Sequence, residues 1–392
     1  MIDPAEYLRA RRTCTRLAAA GPTMVEEWER QIAAMLSVPQ AVAVQQEWAA
    51  FRWIFSHLAI ADGDEVIIPA YGARSLADLI KRSGAKPVPA DIEPHTLNVT
   101  VPGVAARITP RTRAIVVGHA FGTPAPIDNI VALADDYRIP VIEDCREALG
   151  AAVKGRFAGS FGYASTIAFG PDGPINTHGG AMILSRDTDL IRRIRTGVTA
   201  LPFDPAGFLK GVGRNCRREY GRRSGLAWPL LAARAIRHGD DGCRTADPDV
   251  VFKHFGFESR YQPIQAKWGM ARLKNLEERL SIRRERAALL ESKLHSSMYV
   301  QQVLPGTASA WSRLVVVLSR RPGKVRRDLV VQYGIEAAIG DEIAHECARL
   351  LGYADCPGVV DAYFHALALP MYDGITETQV GRIARILNGL VR

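Results

Sequence analysis

The sequence predicts an α/β protein whose large unit carries a mainly parallel sheet and whose C-terminal unit is a smaller α+β domain. Three observations predict it. Short apolar runs alternate with helical stretches of about 10–15 residues, the pattern of βαβ units. The chain has 392 residues, more than one ordinary core holds, so it divides. Late in the chain a long amphipathic stretch leads to a further apolar strand, SRLVVVLS, at 312–319.

In chain order, Val42–Val44 reads as a first strand and Ala49–Ala61 as a helix. DGDEVIIPAYG reads as turn, buried strand and loop, and SLADLIKRSGA as an amphipathic helix closed by a glycine. KPVPADI is a strand, RTRAIVVGHAFG a strand and loop, IDNIVALADDYRI a helix, and PVIEDCREALGA a strand and loop. Residues 201–252 break the pattern with glycines, prolines and arginines, and read as an insertion or lid. PIQAKWGMARLKNLEERLSIRRERAALLESKL, at 263–294, reads as one long amphipathic helix. The predicted division is an N-terminal arm over 1–24, a large domain over 25–252 and a small domain over 253–392. In a parallel sheet ligands sit at the carboxyl ends of the strands, which singles out Tyr71, His119, Asp144 and Glu147.

Hydrophobic residues make up 47% and charged residues 23%, the balance of a soluble globular protein. No apolar run reaches the roughly 18–20 residues that span a bilayer, and the N-terminus has no apolar h-region. Six cysteines lie scattered, without a CxxC pair, so neither a metal site nor a disulfide framework is expected, and reduced thiols fit a cytoplasmic protein. The net charge is +9, much of it between Arg192 and Arg244. Such a cluster reads as a solvated arginine-rich surface, or as a field that draws in a phosphorylated small molecule. No nucleic-acid-binding motif accompanies it, so nucleic acid is not an expected partner.

The order of these segments resembles the DegT/DnrJ/EryC1/StrS family of pyridoxal-phosphate (PLP) dependent sugar aminotransferases and dehydratases. The resemblance runs from about Trp28 to Leu390. DGDEVIIPAYG is similar to the family's GDEVI-P-S-aromatic segment. DIEPHTLNVTVPGVAARITPRTRAIVVGHAFGTPAPIDNI follows its D-x-x-TLN…ITPRT-KAI…MD-x-I stretch. VIEDCREALGAAVKGRFAGSFGYAS follows VIEDAAQA-x-GA-x-x-KG-x-x-GSFGDA, and ALPMYDGITETQV follows SLPMYPGLT-x-x-QV. The resemblance implies an aspartate-aminotransferase-like fold (fold type I) and a homodimer with active sites built from both subunits.

PLP chemistry needs an anchoring lysine, a carboxylate facing the pyridine nitrogen, an aromatic ring stacked on the pyridine, and small residues around the phosphate. By resemblance Asp144 is the carboxylate, Tyr71 the aromatic, and His119 stands at the family's histidine. The lysine position, four residues after Phe169 in IAFGPDG, is Gly173. His178 lies five residues further on. Ala168 stands where the family has the serine of F-S-F, Glu47 and Trp48 replace a small pair at the phosphate, and Tyr163 replaces an acidic residue. Glu258 replaces the asparagine that a partner subunit offers to the phosphate in the family. Lys154, in the K-G turn, and Lys210, in the insertion, are other lysines that could swing in.

These residues point to a degenerate sugar-aminotransferase homologue without a cofactor, or alternatively one holding PLP or pyridoxamine phosphate (PMP) noncovalently. The expected function is acid–base chemistry on a sugar, sugar nucleotide or related intermediate. Glu47 and Glu258 form the leading pair, with His119, His178 and Asp144 as further catalytic candidates and Trp48, Tyr71, Glu147, Tyr163 and Arg260 lining the substrate. Carboxylates held close together have their pKa values pushed apart, which would make one an acid and the other a base. A non-catalytic ligand-binding or partner subunit is the remaining reading. In it, Glu47 and Glu258 are neutralised by arginines.

Overall fold

The computed structural model describes residues 21–170, 173–223, 258–372 and 374–391, with the single positions 229 and 233. The predicted arm, except its last residues, and most of the insertion beyond 223 lie outside the described residues.

The central sheet has seven strands: β1 (Gln40–Val44), β2 (Glu65–Pro69), β3 (Lys86–Ala90), β4 (Thr112–Gly118), β5 (Val141–Asp144), β6 (Ala164–Ala168) and β7 (Ala181–Ser185). Their order across the sheet is β1-β7-β6-β5-β4-β2-β3. The run β6-β5-β4-β2-β3 is parallel throughout, and β7 is antiparallel to both its neighbours, β1 and β6. The strands are buried almost without alternation, β5 reading buried at every position, as a sheet covered on both faces requires.

The covering helices include α1 (Gly21–Met35), α2 (Glu47–His57), α3 (Arg74–Arg82), α4 (Ile127–Asp136) and α5 (Thr188–Ala200). On one face Phe51, Ile54 and Phe55 of α2 pack with Ile68, Val116 and Ile142 of the sheet. On the other, Trp28 of α1 meets Phe169 at 5.1 Å between ring centroids.

The segment read as an insertion or lid begins with a helix that its sequence did not signal, α6 (Pro205–Arg223), whose Phe208 and Val212 pack with Ile264 and Trp268. Its arginines and glycines mask the periodicity, because only a narrow apolar stripe is buried. The long helix expected over 263–294 is two, α7 (Pro263–Leu273) and α8 (Leu276–Lys293). The break falls at Asn275, whose φ −112° and ψ 20° leave the helical region. Helix α7 buries Ile264, Gln265, Ala266 and Trp268 in the large domain, and its Gly269 lets Trp28 approach so closely that a Cβ would sit 2.7 Å from the indole. Helix α8 begins in the large-domain core with Leu276 and Leu280 and reaches the C-terminal core with Ala287 and Leu290.

That C-terminal unit is an antiparallel sheet of β8 (Met298–Val300), β9 (Leu314–Leu318), β10 (Ala338–Ile339) and β11 (Ala366–Leu369), in the order β8-β9-β11-β10. It docks on the large domain next to β2, where Gly72 N–H donates to His345 O at 2.9 Å and Cys347 N–H to Ala70 O at 2.7 Å.

Candidate active site

The strand ends of β5 and β6 and the first turn of α2 converge on one group of charges. Asp144 closes β5, and its carboxylate accepts from Arg146 Nε at 2.8 Å on each oxygen. Arg146 Nη1 donates to Glu47 Oε1, also at 2.8 Å, from the N-terminal turn of α2. The two carboxylates hold the guanidinium as a cation, although burial opposes its charge. A side chain built on Gly173 would begin 3.4 Å from Ala168 O and 3.7 Å from Arg146 O, so Gly173 lies between the end of β6 and the loop that follows β5.

Glu258 is placed elsewhere in this network, paired with Arg52 of the same chain. The Arg52 guanidinium lies 5.2 Å from the Trp53 ring centroid and 5.9 Å from that of Trp48. Within one chain Glu47 and Glu258 do not meet: Glu47 shares Arg146 with Asp144, and Glu258 is held by Arg52. Beside Glu258 lies a cleft lined by Gln45, Gln46, Trp53, Leu201 and Ser259, and into this region Gln45 Oε1 and Trp53 Nε1 are buried without a hydrogen-bond partner among the described residues.

Tyr71 follows β2 and is 6% exposed, with its ring edge-on to Phe121 at 6.1 Å. Its hydroxyl finds no partner among the described residues. Burial pushes its pKa well above the usual tyrosine range, and the Arg313 cation offsets only part of this. Glu147 accepts from Ser312 Oγ at 3.2 Å and faces Arg313 at 4.0 Å, so the two residues that lead into β9 lie against the loop after β5.

Three expected site residues are committed to the fold. His119 is fully buried. Ala125 N–H donates to its Nδ1 at 3.1 Å, which leaves Nε2–H to donate to Glu143 Oε2 at 3.2 Å, so neither ring nitrogen is left for proton transfer. Tyr163 donates to Asp187 Oδ2 at 2.6 Å, and Asp187 caps α5 through the N–H groups of Asp189 and Leu190. Arg260 donates to Leu201 O at 2.8 Å and lies over Phe203 at 5.0 Å. Among the described residues, His119, Glu143 and Cys145 bring metal-ligating atoms within 4.8 Å of one another. Glu143 already accepts from Gly159, Phe161 and Gly162 N–H, each at 2.7 Å, so its oxygens are spent on the chain itself.

His178 stands at φ 64°, edge-on to Trp268 at 5.6 Å, with Nε2 buried and unpartnered among the described residues. Burial pulls its pKa down to about 4, and the Arg272 cation adds to the shift. The unfolded chain binds this proton near pH 6.5, so the folded state loses stability as pH falls from about 6.5 to about 4. His178→Asn, whose side chain tolerates positive φ, is expected to flatten that part of the stability–pH curve in urea titrations. An unchanged curve would place the ring in solvent.

Arginine 146 was missed in the sequence, although a signal existed. It stands in VIEDCREA where the family motif VIEDAAQA has a small alanine. Arg52 and Arg313 lie outside any motif, and only the tertiary structure brings them in.

A seven-stranded, mostly parallel sheet with a docked antiparallel C-terminal unit and a site at the strand ends defines a protein of the fold type I aminotransferase class. A Brucella abortus DegT/DnrJ/EryC1/StrS aminotransferase superposes with a TM-score of 0.76 at 20% identity, covering 98% of this chain and 95% of that one. The aminotransferase TlmJ from Streptoalloteichus hindustanus gives 0.76 at 23%, covering 99% and 96%. In sequence, a GDP-perosamine synthase of Caulobacter vibrioides is 28% identical over 98% of this chain and 94% of its own length. The DegT/DnrJ/EryC1/StrS aminotransferase family profile matches residues 10–388, and the chain belongs to that family. No helix among the described residues is long and apolar enough to cross a membrane.

Proposed function

We propose that this chain is a sugar-aminotransferase homologue that has given up PLP and binds a sugar, a sugar nucleotide or a related biosynthetic intermediate in the old pocket. The observation that carries the reading is the lack of an amine. Gly173 lies at the site without a side chain, and every lysine among the described residues is exposed. Lys154 is held at the surface by Asp128 at 2.7 Å, and Lys210 is exposed on α6. A lysine that bonds a cofactor needs a fixed, desolvated place.

The phosphate end fits PLP no better. Ala168 offers no hydroxyl, and Glu47, held by Arg146, stands where the family motif has a small residue beside the phosphate. The groups left for proton transfer are the Tyr71 hydroxyl and His178 Nε2, while Glu47, Asp144 and Glu258 hold arginines in place. The sugar-type ligand follows from the relatives, which include a UDP-N-acetyl-3-dehydro-alpha-D-glucosamine 3-aminotransferase at 27% identity over 92% of this chain. A homodimer belongs to the same reading. Light scattering that gives a monomer mass would remove it.

The test is the near-ultraviolet and visible absorbance of the purified protein, before and after PLP and then PMP. The expected result is no band that survives desalting and no shift on titration. A retained band would establish noncovalent PLP or PMP use instead, the reading that family membership alone favours, and would make Asp144 and Tyr71 the central residues.

A further inference from the structure

We propose that the Asp144–Arg146–Glu47 bridge is a built-in cation site, in which the chain's own guanidinium occupies the place opposite Asp144 that a ligand's cationic ring would otherwise take. The inference rests on the cofactor-free reading and adds the physical agent of it. The geometry is that of a bound ligand rather than of a surface ion pair. Nε is shared by both Asp144 oxygens at 2.8 Å, and Nη1 reaches Glu47 from a different element at 2.8 Å. The Asp144 side chain is 9% exposed, and that of Arg146 is 31% exposed. A carboxylate this buried needs a cation, and here the cation is only two residues along the chain.

The arrangement also excludes competitors. A pyridinium facing Asp144 would have to displace a tethered guanidinium whose effective concentration no free ligand matches. Two carboxylates around one guanidinium leave the group one negative charge in excess, so the slot selects planar cations with N–H donors and disfavours anions. Among the described residues Arg146 Nη2 has no protein partner, so the outer edge of the same guanidinium remains a donor for a neutral ligand oxygen such as a sugar hydroxyl.

The experiment empties the slot and refills it. Arg146→Ala, the residue type of the family motif, is expected to lower Tm by about 5 °C. Methylguanidinium at about ten times its Kd should then raise Tm by roughly 2–3 °C, while neutral methylurea of the same shape should have no effect. Wild type, its slot already filled, should show no such shift. Asp144→Asn combined with Arg146→Ala removes the buried charge along with its partner. This double variant is expected to recover most of the lost Tm and to lose the methylguanidinium response.

An Arg146→Ala protein that keeps wild-type Tm, ignores methylguanidinium, or still responds once Asp144 is neutralised overturns the proposal. Should Arg146→Ala not fold, the double variant decides alone: folded supports the cation site, unfolded refutes it. The outcome is separable from the cofactor question. A PLP band in the wild type would sink the cofactor-free reading whatever methylguanidinium does, and a failed rescue would leave wild-type spectra unaffected.

Discussion

Glu143→Ala is expected to cost the folded chain about 4 kcal/mol or more, counting about 1 kcal/mol or more for each of the four donors it strands. Those donors are Gly159, Phe161 and Gly162 N–H, each at 2.7 Å, and His119 Nε2–H at 3.2 Å. Glu143 and the His119 side chain are both fully buried, so water cannot replace the lost acceptor. The loop at 159–162 links the small hairpin of 152–157 to β6, which ends at the site, so the loss would reach function through position rather than chemistry. Glu143→Gln keeps one acceptor oxygen and turns an amide NH2 toward donors. About half the loss is expected. Urea denaturation measures both. A Glu143→Ala loss below about 1 kcal/mol would mean that the four donors find other partners and that His119 is free to act elsewhere.

Gly180→Ala is the second large effect. Gly180 sits at φ +90°, where an L side chain is strained, and an added Cβ would lie 2.2 Å from Cε2 of Tyr261. Tyr261 cannot step aside. It is 2% exposed, hydrogen-bonds Thr177 at 3.0 Å and packs edge-on to Phe169 at 6.3 Å. Backbone strain of about 1–2 kcal/mol and overpacking of about 1–3 kcal/mol add to roughly 3 kcal/mol. The overpacking part is separable. In a Tyr261→Leu background the ring edge is gone, so Gly180→Ala should cost only its backbone strain, and the double-mutant cycle should show coupling above about 1 kcal/mol. Strict additivity would mean that the loop moves instead of colliding.

Much of the fold was legible because its signals are local. The run EVIIP is buried at nearly every position, and the alternation of such runs with amphipathic helices such as SLADLIKR gives a parallel sheet from periodicity alone. The break between α7 and α8 was not legible. The stretch KNLEER continues a helical pattern, yet the helix breaks at Asn275, whose backbone leaves the helical region, and α8 then runs from the large-domain core at Leu276 and Leu280 to the C-terminal core at Ala287 and Leu290. Helix α6 was missed for the opposite reason, a buried stripe too narrow to stand out among arginines.

The site divides in the same way. Sequence by itself determined which residue types stand at the strand ends: Asp144 after VIE, Tyr71 after IIPA, Ala168 at the end of β6 and Gly173 in the loop after it. Those identities follow from motif order, which the chain preserves over most of its length. The tertiary structure alone decided what the charges do. Glu47 meets Arg146 across 99 residues, Glu258 meets Arg52, and His119 turns both nitrogens into the core. Side-chain direction and pairing depend on contacts between elements distant in sequence. Periodicity carries no information about which arginine will neutralise which carboxylate.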